Sequence, residues 1–179
     1  MSYTILEPEA GYTPIANVDA GVTVGTNLSS GGSAIPTPPN RPGAIVKAVD
    51  PTYGAGEFIM LAGVASTAVG SVVTYNTSSF TTALAPVGAN KPQPIAIAMS
   101  ANTSSSSWGW YQISGIAQAA KTSGLALADA AAVGVLTVGL IAATAAGKEV
   151  EGALTFGVST TLKLVKLVIN RPVMQGRIT

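Results

Sequence analysis

The chain has 179 residues; 47% are hydrophobic, yet only 6% are aromatic and 9% charged, and the formal net charge is +1. That length suits one domain with extensions and buries a core without disulfides or metals. Cysteine and histidine are both absent, which removes at one stroke the thiolate nucleophile, cysteine metal sites, the commonest general base and the commonest metal ligand.

Residues 1–41 read as an extended N-terminal arm. Prolines stand at 8, 14, 36, 38 and 39, with Ser29-Ser30-Gly31-Gly32-Ser33 between them, so neither a helix nor a central strand fits. Isolated apolar residues such as Ile5, Leu6, Ile15 and Val18 are too sparse for a core. The segment is either a loose tail or an arm that becomes ordered on a partner, adding a strand to its sheet. Ile5, Leu6, Tyr12 and Arg41 are its candidate contacts. Glu7 and Glu9 occupy the region where a signal peptide would carry basic residues, so none is expected.

From residue 42 to 172 short β-runs alternate with Gly- and Ser-rich turns, the body of the protein. Ala44–Asp50, Glu57–Ala62, Ser71–Asn76 and Pro94–Ser100 have strand length and β-branched content. Trp108–Gln118, Ala132–Val138, Glu149–Ser159 and Leu162–Asn170 follow. Turn signals about every ten residues point to a mainly β fold, an antiparallel β-sandwich or jelly-roll-like barrel. Leu125–Ala132 is the one segment suited to a short helix. Gly54-Ala55-Gly56 lacks the third glycine and following helix of a dinucleotide fingerprint and reads as a turn.

Between Glu57 and Lys121 the only charged residue is Lys91. Such a stretch is either a hydroxyl-rich β surface or one covered by neighbouring subunits, where an unpaired charge would be costly to desolvate. Trp108, Trp110 and Tyr111 form an aromatic cluster, the two tryptophans on one strand face and the tyrosine on the other. Core and interface anchoring is the principal reading; a sugar-stacking platform is the alternative. Nucleic acid is not an expected partner, because no basic residues accompany the aromatics. The uncharged run from 130 to 147 lacks the large aliphatics and flanking anchors of a membrane span.

In the last run Val165, Leu167 and Ile169 share a face, and Leu162 and Leu164 are out of phase with it. A bulge or two-sided burial is therefore required. Pro172 is expected to end the strand, leaving a tail over 173–179. Arg171, just before the proline, and Arg177, in the tail, are candidates to pair with carboxylates on a partner.

Three segments resemble the cement, or decoration, proteins of tailed-bacteriophage heads: Gly109–Gly115 (GWYQISG), the small-residue stretch ending in Gly147–Val150 (GKEV), and Val168–Pro172 (VINRP) with Met174–Arg177 (MQGR). The resemblance implies a structural virion protein on the outer capsid surface, made in the host bacterial cytoplasm. Its partners would be the major capsid protein and further copies of itself, as a dimer or trimer on a symmetry axis. Its role would be to cement capsid subunits against internal DNA pressure. No enzymatic activity and no cofactor are expected. The alternative function is a head-fibre or adhesin-like module binding a glycan or receptor.

Overall fold

The computed structural model describes residues 4–6, 40–158 and 163–176. In chain order the strands are β1 (Thr4–Ile5), β2 (Ile45–Asp50), β3 (Gly54–Ala62), β4 (Val72–Tyr75), β5 (Thr82–Leu84), β6 (Ile95–Ala98), β7 (Trp108–Ala120), β8 (Ala132–Thr137), β9 (Leu140–Ala143), β10 (Glu149–Thr155) and β11 (Leu164–Met174). The described residues contain no helix. The strands form one antiparallel sheet in the order β1-β2-β3-β7-β11-β10-β8-β9, and β6, β4 and β5 branch from β7. The chain is therefore mainly β and sandwich-like. The sheet does not close into a barrel: β9 returns to the end of β7 only through the Lys121–Ile141 bridge and the Thr122 N–H to Ile141 carbonyl bond.

The branch is built into β7. Gln112 pairs with Phe58 of β3 and with Ile97 of β6, while Ser114 pairs with Glu57 of β3 and Asn170 of β11. A residue has only two backbone edges, so β3 holds one edge and β6 and β11 divide the other. At the division the β3–β7 register slips: Glu57 faces Ser114 and Phe58 faces Gln112, leaving Ile113 unopposed. This β-bulge bends β7 away from its first set of partners. The Gln112 amide answers the carbonyls the bulge disturbs, donating to Ser114 O at 3.0 Å and Ile116 O at 3.1 Å.

Three apolar clusters fill the space the branch encloses. Phe58, Met60 and Trp110 pack with Val46, Ala48 and Met99. Ile59, Leu61, Tyr111 and Ile113 pack with Val73, Ala96 and Ala98. The third is assembled mainly from Ala, Val, Ile and Leu of β4, β6 and β7 to β11. Alternation along β3 and β7 assigns neighbouring residues to different clusters, which is why β3 from Phe58 onward is buried on both sides.

The sequence expectations meet the structure unevenly. All eight anticipated strands are present; β1, β5 and β9 are additional, two to four residues long. Leu125–Ala132 is not helical. Asp129 Oδ1 accepts from the Gly157 N–H, and Thr155 Oγ1 donates to Ala128 O and accepts from the Ala131 N–H. These bonds and the seating of Leu127 in the core outweigh alanine's helical preference. Gly54-Ala55-Gly56 does not form the whole turn: Gly54 leaves it at φ 72° and all three residues pair in β3. β11 passes through Pro172 and ends at Met174. The proline is tolerated because, on the β10 side, Asn170, Arg171 and Pro172 together stand opposite the single residue Gly152, between the Glu151–Val173 and Ala153–Ile169 pairs. The two-sided burial anticipated for this strand is found at Leu164, which packs on the Phe58 cluster while Val165, Leu167 and Ile169 fill the other core. Leu162 lies outside the described residues.

Gly115 supplies the backbone freedom at the division of β7. Its φ is 97°, and a β-carbon there would stand 2.3 Å from Ala55 O. Gly115→Ala is expected to cost roughly 3 kcal/mol or more of unfolding free energy. Gly124→Ala, at φ 73° with open space around it, should cost only about 1 kcal/mol. Denaturant titration of the two variants measures the difference; equal costs would show that the bulge does not constrain the fold.

Candidate interaction surfaces

The N-terminal arm adds a strand to the chain's own sheet. Thr4 pairs with Val49 and Ile5 with Ala48, and the Leu6 N–H donates to Lys47 O at 2.9 Å. Ile5 packs on the cluster of Phe58, Met60 and Trp110, whereas Leu6 remains 54% exposed. Leu6, Lys47, Ala55, Gly56, Glu57 and Ser114 border a shallow depression of about 210 Å³. Arg41 is exposed, its carbonyl closing a turn with the Ala44 N–H at 3.0 Å. Tyr12 and Arg177 lie outside the described residues.

Two of the three clustered aromatics present no side chain to a partner. Trp110 is 3% exposed and Tyr111 is 1% exposed, packed in different cores as strand alternation requires. Trp108 is half-buried beside Trp110, its indole Nε1 enclosed without a hydrogen-bond partner. Trp110 and Tyr111 therefore serve as core residues of the chain, and the Trp110 ring as it stands offers little surface to a sugar. The chain has few large residues, and these aromatics supply core volume.

Tyr111 also carries a hydrogen bond from Asn102 Nδ2 at 3.2 Å. Burial pushes its phenol up to about 12, against hydrogen bonds with Asn102 and Thr82 that pull it down. Burial likewise raises Tyr75, opposed by the Arg171 charge.

The charged residues gather elsewhere. Arg171 adopts φ 45° in the bulge of β11 and reaches Glu57 Oε2 at 2.9 Å. Glu57 also faces Lys47 across β2 and β3. Lys166 lies 5.7 Å from the Tyr53 ring centroid, and Gln118 donates to the Tyr53 hydroxyl. Arg171 is thus satisfied within the chain, though largely exposed. An exposed pair of this kind contributes about 0.5 kcal/mol.

The charge-free segment is drawn together at one end of β3. The Ala62 N–H donates to Phe80 O at 3.0 Å, Gly63 N–H to Ser107 O at 2.8 Å and Val64 N–H to Asn102 O at 3.0 Å. Three loops, 63–71, 76–81 and 99–107, therefore meet there without a charged side chain. Their exposed positions are Ala, Ser, Thr and Asn. Several of the polar groups are bonded within the loops: Asn76 Oδ1 accepts from the Ser78 and Ser79 N–H groups, and Thr82 Oγ1 donates to Ala62 O.

A second surface is marked by no motif. Ile116, Val168 and Leu154 stand opposite one another across β7, β11 and β10. Leu154 and Val168 are nearly half exposed, and Phe156, whose N–H donates to Lys166 O, is 50% exposed. This apolar ladder occupies the phase that Lys166 and Asn170 mark as solvent-facing. Its one signal in the sequence is an aliphatic residue on the polar phase of an otherwise alternating strand.

Among the described residues no group of three or more His, Cys, Asp or Glu side chains converges, and no helix is long and apolar enough to cross a membrane. No family model, characterised protein or solved structure matches the chain.

The raised Tyr111 value has a defined consequence for alkaline stability. The unfolded phenol ionises near 10, so above that pH the native state holds the proton the unfolded chain has lost. Stability is complete below pH 10 and falls as pH rises from 10 to about 12, by about 3 kcal/mol from this residue. Unfolding free energies measured from pH 9 to 12 should show that decline, and Tyr111→Phe should flatten it. An unchanged slope in the variant would assign the alkaline loss to other groups.

Proposed function

We propose that the chain is a structural virion protein that binds the outer surface of a phage head and cements neighbouring major capsid protein subunits. The observation that carries the reading is the meeting of three charge-free loops at one end of the sheet. Few soluble surfaces are neutral over such a length of chain, and a neutral hydroxyl-bearing surface loses little on being covered. The resemblance of Gly109–Gly115, the stretch ending in Gly147–Val150, and Val168–Pro172 with Met174–Arg177 to decoration proteins supplies the kind of partner. Mechanically, each copy would bridge adjacent subunits. Many copies with modest individual contacts oppose expansion collectively, because release requires all of a subunit's contacts to fail together.

The apolar ladder is the second contact in this reading. Phe156→Glu places a charge where the capsid would exclude water, while leaving the core untouched. Co-sedimentation with heads lacking the protein should fall at least tenfold, with folding stability changed by no more than about 0.5 kcal/mol. Heads without the protein should also break at lower temperature or milder osmotic shock, and regain resistance when the wild-type chain is added back. Equal resistance with no rebinding would refute the cement role.

A further inference from the structure

We infer that the edge of β2 is an acceptor site for the Thr4–Leu6 segment of a second copy of this chain, so that neighbouring copies exchange their N-terminal strands. The segment and its site form a complete small docking unit. Thr4 and Ile5 pair in register with Val49 and Ala48, Leu6 extends the ladder through Lys47 O, and Ile5 rests on the Phe58–Met60–Trp110 cluster. Backbone pairing along an open edge, with one apolar side chain anchoring the register, is the usual chemistry of strand addition between chains.

Nothing in that unit depends on both halves belonging to one chain. Antiparallel neighbours joined by a hairpin need only two to five intervening residues. Here residues 7–44 separate donor from acceptor, a length that reaches roughly 125 Å when extended. The prolines at 8, 14, 36, 38, 39 and 42 make both ends of that connector poor competitors for the same edge. The same bonds and the same packing of Ile5 form whether the strand comes from its own chain or another, so concentration decides between them. A long tether holds its own strand at no more than the millimolar range, and copies packed side by side reach comparable local concentrations. Exchange then links copies without any contact surface beyond the one each already has. It requires only β1, β2 and the connector, and is independent of whatever larger structure the protein joins.

A disulfide trap tests it. Thr4 and Val49 are exposed and directly opposite, within reach of a disulfide, and the chain has no cysteine of its own. Thr4→Cys and Val49→Cys variants with different tags are unfolded, mixed, refolded together at roughly 1–2 mM total chain and oxidised. The exchanged form yields an SDS-resistant dimer carrying both tags, at least fivefold above a control pairing Thr4→Cys with Ser78→Cys. The double variant Thr4→Cys/Val49→Cys should then give dimers alongside internally closed monomers. A double variant that closes only internally, with the mixed singles no better than control, overturns exchange and leaves the capsid reading untouched. A double variant that forms no disulfide overturns the pairing itself.

Discussion

The fold depends on one strand serving two sets of neighbours. β7 gives one edge to β3 and divides the other between β6 and β11, and the bulge at Ile113 with the left-handed turn of Gly115 makes that division possible. Gln112 is fully buried where a small apolar residue would pack more easily. Its amide is what keeps the disturbed carbonyls bonded. A carbonyl left unpaired there would cost about 1–3 kcal/mol; the same side chain leaves its own Oε1 buried without a hydrogen-bond partner, so it secures the geometry of the branch at a cost of comparable size. The three clusters lie where they do because β7 bends at this point.

The separation of surface chemistry follows from the same geometry. The charges of Lys47, Glu57, Lys166 and Arg171 collect where β2, β3, β7 and β11 lie side by side. The β3–β4, β4–β5 and β6–β7 loops come together elsewhere, neutral and hydroxyl-bearing. One end of the molecule therefore keeps its water tightly and the other gives it up at little cost.

The β character and eight of the eleven strands were legible from strand-length runs of β-branched residues between turn signals, helped by alternation where it is strong, as in Val165, Leu167 and Ile169. Opposite faces for Trp110 and Tyr111 follow from period two, and the structure seats them in separate cores. What alternation does not specify is which face is covered. Both faces of this strand are buried, and period two alone gives buried tryptophans and a surface platform the same pattern. Pro172 misled for a related reason: a proline ends a regular ladder, but a bulge opposite Gly152 removes the need for its missing N–H. The helical reading of Leu125–Ala132 rested on alanine propensity, which Thr155 and Asp129 override through contacts remote in sequence. The apolar ladder of Leu154, Phe156 and Val168 needed the β10–β11 register, because three isolated aliphatic or aromatic residues acquire meaning only as neighbours.

The division of β7 also sets the order in which the chain becomes native. Its first partner, β3, precedes it, but the partner of its second half is β11, the last strand of the chain. During synthesis Ala117 and Ala119 emerge long before Leu167 and Val165 exist to cover them. The largest core draws on strands from β4 to β11 and is therefore incomplete until Met174 is free. Pairings at such sequence separations must close long loops before contacts reward them, which slows folding and makes it cooperative over the whole body. A truncation of even the last strand would then leave no smaller folded unit behind, only a chain with its alanine- and valine-rich faces open to aggregation.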